Sequence, residues 1–141
     1  MNLCYVNATH SDIPVIFAQA KNLIDTYEDL ASIDYDRVMN WVEKKITAHI
    51  CDYRTVQQNG KTCAYYRLTA DGELDDFYVL PGYRCQGIGS EILKKVLADS
   101  KNPVYLYVFS RNTRAIALYA RFGFTVRESV GKTRLIMERK G

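Results

Sequence analysis

Residues Glu73 to Ala98, ELDDFYVLPGYRCQGIGSEILKKVLA, constrain this chain more than any other stretch. Leu74 to Leu80 is apolar and aromatic enough to predict a buried strand. Pro81-Gly82 is a turn dipeptide that stops it. From Gly87 the pattern turns helical: Ile88, Ile92, Leu93, Val96 and Leu97 fall on one face. Glu91 and Lys95 are spaced to pair at i,i+4 on the other side.

The join between strand and helix is suited to an anion. Arg84-Cys85-Gln86-Gly87-Ile88-Gly89 places two glycines at the first helical turn. A helix start carries unpaired N–H groups and about half a unit of positive charge. Glycine allows positive φ and close approach to that backbone, so the loop forms a pocket for phosphate oxygens. Arg84 adds a charged fork. The spacing fits neither G-x-x-x-x-G-K-[ST] nor G-x-G-x-x-G, so neither a P-loop nor a dinucleotide fingerprint is present.

In chain order, Leu3 to Ala8 reads as a short strand. Ser11 or Asp12 caps a helix with Pro14 in its first turn and Ile13, Ile16, Phe17, Ala20, Leu23, Ile24 and Tyr27 on one face. Asp34 caps a second helix that turns Tyr35, Val38, Met39, Val42 and Ile46 inward. Strands follow at about His49 to Gln57 and Lys61 to Thr69, joined by the hairpin signal Asn59-Gly60. Asp71-Gly72 turns into the central strand, and Asn102-Pro103 ends the long helix. Val104 to Phe109 is apolar on both faces and predicts an interior strand. A short helix, Arg111 to Phe122, is closed by Gly123, and Phe124 to Glu128 with Thr133 to Glu138 forms a last antiparallel pair. The order β-α-α-β-β-β-α-β-α-β-β predicts one domain across residues 1–141, a mixed α/β sheet with helices on both faces.

Other features narrow the class. An apolar fraction of 48% and a charged fraction of 25% are those of a globular domain. No apolar run approaches the ~20 residues that span a membrane, and MNLCYVNATH has no basic region and no long apolar run, which predicts no signal peptide. Cys4, Cys51, Cys63 and Cys85 show no C-x-x-C pairing and read as free thiols in the cytoplasm. His49, Cys51 and Cys63 lack an evident fourth ligand, so no metal is expected. Residues 1–81 carry 7 Lys+Arg against 12 Asp+Glu, and residues 82–141 carry 12 against 4. The basic half suits a polyanion and the acidic half a protonated amine; solvated surface is the plain alternative.

The stretch FYVLPGYRCQGIG, with R-x-x-G-x-G after a strand, resembles the acetyl-CoA loop [QR]-x-x-G-x-[GA] of the GNAT superfamily of N-acetyltransferases. NTRAIALYARFGFT, residues 112–125, resembles that family's N-x-x-A-x-x-x-Y-x-x-x-G-F. The resemblance covers residues 73–125 by motif and the first seventy residues by element order alone. It implies a GNAT-type mixed, mostly antiparallel central sheet in which the central strand and the next one splay apart. It implies acetyl-CoA as co-substrate, an amine as acceptor, and a monomer or homodimer that needs no nucleic acid, membrane or metal. The alternative from another class is a non-catalytic acyl-CoA-binding sensor or scaffold.

By the same resemblance, Phe77, Tyr78 and Val79 line the pantetheine arm. Arg84, Cys85, Gln86, Gly87, Ile88, Gly89 and Ser90 form the phosphate loop, and Asn112 contacts the cofactor, a role compatible with a helix N-cap. Tyr119 matches the tyrosine that protonates the leaving sulfur; its plain reading is a core tyrosine beside Ile116 and Phe122. Acyl transfer also needs a neutral amine. A lysine-like amine with a pKa near ~10.4 is neutral about once in a thousand at pH ~7.4, so freeing the lone pair costs roughly 4 kcal/mol. A carboxylate beside the acceptor takes that proton, directly or through water. Glu73 and Asp75 are the candidates, and strand alternation puts both on the side of Phe77 and Val79. Cys85, next to Arg84 at a helix start, is a candidate reactive thiol. Trp41 is expected to pack half-buried. Of Asp25, Glu28, Asp29, Asp34 and Asp36, some serve as caps or solvated surface, and two or more are expected to converge near Tyr27 and the start of the central strand, where they would draw in a cationic acceptor.

Overall fold

The computed structural model describes residues 1–101 and 103–140. Of the expected helix stop at Asn102-Pro103, Asn102 lies outside the described residues. Two antiparallel sheets form. The first takes β1 (Leu3–Asn7), β2 (Tyr53–Gln58), β3 (Lys61–Leu68) and β4 (Leu74–Val79) in that order. In the second, β7 (Arg134–Arg139) lies between β5 (Val104–Phe109) and β6 (Thr125–Val130). Asn59 and Gly60 take φ of 53° and 76°, the paired left-handed geometry that a two-residue hairpin between β2 and β3 requires.

Helices cover both faces. α1 (Ile13–Tyr27) and α2 (Tyr35–His49) bury Ile16, Ala20, Val42 and Ile46 against Tyr53 and Tyr65. Asp12 accepts the Tyr65 hydroxyl at 2.8 Å, which ties the start of α1 to the sheet. On the other face, α3 (Ile88–Asp99) and α4 (Thr113–Arg121) pack Ile88, Ile92, Leu93, Val96 and Tyr119 against Val56, Leu74, Val104, Leu106 and Val108. That core spans both sheets. Burying each large aliphatic side chain in it contributes about 1.5–3 kcal/mol.

Several expectations are corrected. The strand predicted from His49 starts later, because α2 runs to His49 and a 3-10 turn, Ile50–Asp52, follows. Val42, Ile46 and Ile50 are all buried, so the helical face simply continues. His49, Cys51 and Cys63 therefore do not meet across the hairpin; Cys51 is exposed and Cys63 buried. β5 is not buried on both faces. It buries Val104, Leu106 and Val108, while Tyr107 is 45% exposed beneath the Arg134 guanidinium. Glu91 bonds Lys94 instead of Lys95, whose ammonium reaches Asp99 at 2.8 Å and lies over the Tyr5 ring. Trp41, expected to be half-buried, is 62% exposed and packs under the Lys45 ammonium.

The largest correction lies in β4. Tyr65 pairs with Tyr78 and Arg67 with Asp75, so three steps along β4 match two along β3. The extra residue makes a β-bulge, and Asp76 takes a φ of 48°. Alternation breaks there. Asp75 lies on the face of its partner Arg67, opposite Phe77 and Val79, which pack toward α3.

β4 and β5 run parallel but, among the described residues, pair only once, through a bridge between Glu73 and Tyr105 in which the Tyr105 N–H donates to the Gly72 carbonyl at 3.0 Å. Beyond it the two strands part, as the resemblance implied.

Candidate active site

A cavity of about 790 Å3 lies along the end of β4, between α1, the start of α3 and α4. Strand β4 supplies Phe77, Tyr78 and Val79 to its wall. The following loop and the start of α3 supply Arg84, Cys85, Gly87, Ile88, Gly89 and Ser90. From α4 and its cap come Asn112 and Tyr119. Three predicted site residues stand outside. Gln86 folds back so that its amide donates to the Gly82 carbonyl at 2.9 Å. Glu73 and Asp75 do not line the cavity either.

The loop geometry follows from its glycines. Gly87, at φ 83°, is the N-cap of α3, and no side chain caps that turn. Its first N–H groups therefore face the cavity without a side-chain acceptor. At Gly89 an added Cβ would stand 3.5 Å from Leu118, 3.7 Å from Val79 and 3.8 Å from Phe77. A larger side chain would fill the cradle between strand and helix. Arg84 donates from Nε to the Val79 carbonyl at 2.9 Å, which fixes the loop against the end of β4. Cys85 is exposed, with a left-handed φ of 62°.

Tyr119 lines the cavity while only 9% exposed, between Phe77 and Phe124 with ring centroids 6.5 and 5.7 Å away. Burial pushes its phenol above the ordinary tyrosine value, so the hydroxyl keeps its proton at neutral pH. Asn112 is the N-cap of α4, its oxygen accepting the Ala115 N–H at 3.2 Å. Asn112 also lines the cavity.

The two candidate bases differ. Glu73 is half-buried beside the single bridge; burial first, then the Asp75 charge, raises its carboxyl above the ordinary value. Asp75 is held between Lys45 at 3.1 Å and Arg67 at 3.0 Å. Both of these ion pairs are part-buried, so the Asp75 carboxylate is already engaged.

Sequence reasoning missed one whole wall. Gln19, Asn22, Leu23 and Thr26 follow i, i+3, i+4, i+7 spacing on α1 and line the cavity, with Tyr27. The signal was present as a polar stripe beside the apolar face that packs on the sheet. Arg114, Leu118 and Arg121 on α4 were also missed. Arg111 donates to the carbonyls of Thr26 and Tyr27 at 3.0 and 3.3 Å, and the Tyr27 ring stacks on Phe109. The end of α1 is thereby clamped to the end of β5.

The expected convergence of two or more acids is not seen at the cavity, which none of the five lines. Asp25 accepts from Lys21 at 2.7 Å and from the Tyr35 hydroxyl at 2.6 Å. Asp34 caps α2, Asp29 accepts the Ser32 hydroxyl, and Glu28 accepts the Asp29 N–H. Tyr27 lies at the far end of β5, away from the start of β4. The charged side chains that line the cavity are Arg84, Arg114 and Arg121.

A profile of the acetyltransferase (GNAT) family matches residues 20–124, which include the glycine loop and Tyr119. The chain belongs to the GNAT acetyltransferase family. Over 54 residues, this GNAT chain is 46% identical to a thialysine N-epsilon-acetyltransferase of Bos taurus; the match covers 36% of this chain and 32% of that relative's length. Its fold is similar to that of the PaiA N-acetyltransferase of Thermoplasma acidophilum, solved in complex with coenzyme A. Identity is 18%, the TM-score is 0.70 and the match covers 100% of both chains. It is also similar to the spermidine N-acetyltransferase of Vibrio cholerae, solved with CoA and spermine. There the identity is 18%, the TM-score 0.69 and the coverage 96% of this chain and 94% of that one.

Proposed function

We propose that residues 1–141 form one acetyltransferase domain that moves an acetyl group from acetyl-CoA to a primary amine by direct attack. The carrying observation is that one cavity gathers the uncapped, glycine-lined start of α3, the end of β4 from Phe77 to Val79, and the buried phenol of Tyr119.

The residues fit the cofactor. Open N–H groups at the start of α3 suit phosphate oxygens, and the bare Cα of Gly89 leaves the room such a ligand needs. Arg84, Arg114 and Arg121 add positive charge around them. When bound, acetyl-CoA supplies the acetyl group as a thioester. Phe77 and Val79 then orient the arm along β4, whose backbone edge past the bridge has no partner strand. Tyr119 holds its proton until the sulfur leaves and donates it there. Glu73 takes the amine proton, through a bridging water because it stands back from the cavity wall. Asp75, neutralised by Lys45 and Arg67, is the weaker candidate.

The acceptor meets the α1 stripe of Gln19, Asn22 and Thr26, which recognises by neutral hydrogen bonding, in place of the acidic cluster first expected. A cytoplasmic setting suits the four free thiols. Among the described residues no helix is long and apolar enough to cross a membrane. Every residue named comes from one chain, so a monomer or homodimer would serve, without nucleic acid or membrane.

The experiment is a panel of amines incubated with acetyl-CoA, read as free thiol release. Spermine, thialysine and peptides with free N-termini belong in it. Turnover of at least one amine well above thioester hydrolysis is expected; hydrolysis alone across the panel would overturn the proposal.

A further inference from the structure

The bulge in β4 carries a polar cluster that neither the loop nor Tyr119 uses. Asp76 stands at its centre with a side chain 8% exposed. Its Oδ2 accepts the Tyr53 hydroxyl at 2.5 Å, and its Oδ1 accepts the Tyr78 hydroxyl at 2.6 Å. The Lys45 ammonium lies 3.0 Å from Oδ2. One carboxylate thus joins β2, β4 and α2.

The backbone makes this arrangement costly for anything but a purpose. A residue with a Cβ resists left-handed φ, although aspartate tolerates it better than most. In a regular strand, Asp76 would have faced the apolar core under α3. The bulge turns it to the α1 and α2 face, where three donors surround it. Of those donors only Tyr78 also lines the cavity, next to the α1 stripe.

We propose that Asp76 is a positioning residue for acetyl transfer, holding the Tyr78 ring as the cavity wall against which the acceptor amine is aligned. This rests on the reading of the cavity as an acyl-transfer site. Tyr78 follows the bulge by two residues, and Phe77 and Val79 beside it face the cofactor gap. A tether on Tyr78 therefore fixes where the acceptor side of the strand sits relative to the cofactor side. Lys45, 3.0 Å from Oδ2, helps aim the carboxylate. Burial weakens its ammonium, but the attraction of Asp76 and Asp75 more than offsets that and raises its pKa.

The test pairs Asp76→Asn with Tyr78→Phe. Asparagine keeps the shape and the tolerance for left-handed φ, but it replaces one accepting oxygen by a donor. The first readout is independent of any acceptor: tyrosine labelled with 13C at Cζ, observed at neutral pH. Asp76→Asn should move both the Tyr53 and the Tyr78 resonances while the remaining tyrosines stay in place. The second readout is steady-state kinetics with the best amine among spermine, thialysine and a peptide N-terminus. Each variant should lower kcat/KM for the amine by roughly ten- to a hundredfold, the scale of a small misalignment. KM for acetyl-CoA should change by less than about twofold, and the double variant should lose little more than either single one.

Unmoved resonances overturn the proposal outright. Moved resonances with equal losses for amine and acetyl-CoA also overturn it, because they mark a purely structural role. Additive losses in the double variant do the same, since the two side chains would then act separately. A wild-type protein that acetylates none of the panel removes the acyl-transfer reading itself, a failure distinct from any in the labelled spectrum.

Discussion

Glu73 and Tyr105 form the single backbone bridge between the two sheets among the described residues, and the cavity is reached further along β4, from Phe77 to Val79. Glu73 is thus fixed at the closed end of the gap, with its carboxyl raised by burial. If it takes the amine proton, Glu73→Gln lowers kcat by about 10²- to 10⁴-fold. The rate should rise with pH through an apparent pKa above the ordinary carboxylate value, and that limb should vanish in the variant. The stability sign is opposite. Between the unfolded and the higher folded pKa, the folded state binds more protons, so stability falls as pH rises across that window. Glu73→Gln should therefore lose turnover without losing thermal stability at neutral pH. Full turnover in the variant would leave water alone as the base.

Tyr119→Phe should lower kcat by about 10²- to 10⁴-fold and leave acetyl-CoA affinity almost unchanged. The ring keeps its contacts with Phe77 and Phe124 and only the proton source goes. Single-turnover rates beside equilibrium titration of the cofactor separate the two effects. An undiminished rate would return Tyr119 to the core and favour a binding domain over an enzyme.

Acetyl-CoA at about a hundredfold above its Kd should stabilise the wild type by about 2.7 kcal/mol. Gly89→Leu should abolish that gain, because its side chain would occupy the space between Leu118, Val79 and Phe77. Gly87→Ala acts differently. At φ 83° any Cβ is strained, so it should cost roughly 1–2 kcal/mol of stability even without ligand. Melting curves with and without acetyl-CoA distinguish the two, and a Gly89→Leu protein that still shifts would remove the loop from the binding site.

Lys45→Ala should destabilise the fold by about 3 kcal/mol, since Asp75 and Asp76 are part-buried and would lose a shared cation. Lys45 has a raised folded pKa. Its contribution is therefore complete below the unfolded lysine value near ~10.4 and is lost only as pH climbs through the folded one. Urea titrations at neutral and at high pH should show the wild type and the variant converging at the alkaline end.

Much of this was legible in the sequence because local chemistry and tertiary role agreed. Gly87 and Gly89 are legible at the strand-to-helix join and Asn112 and Tyr119 through the family resemblance, and all four line the cavity. Asp76 was illegible. Periodicity assumes two residues per repeat, and a bulge is set by the partner strand, here the step from Tyr65 to Arg67. The acidic run from Asp25 to Asp36 misled for a related reason. Proximity in sequence suggested a shared target, whereas Asp25, Glu28, Asp29 and Asp34 are each taken by a donor within about a turn or in the adjoining helix. The α1 stripe was hidden because Gln19, Asn22 and Thr26 look like a solvated face until α4 and β4 stand opposite them.

The parting of β4 and β5 has a consequence for handling the protein. Past the Glu73 bridge each strand keeps one bare edge of amide and carbonyl groups turned toward the gap. Unsatisfied edges are templates for any extended chain. A peptide tail or a partly unfolded neighbour could lie there as an added strand. Purified material should be most prone to clump when ligand-free, and small amounts of coenzyme A should keep it monodisperse in storage. Backbone hydrogen exchange would report the same thing, with the amides on the inner edges of Phe77–Val79 and Leu106–Val108 slowing on ligand addition while those of the β2–β3 hairpin stay as they were.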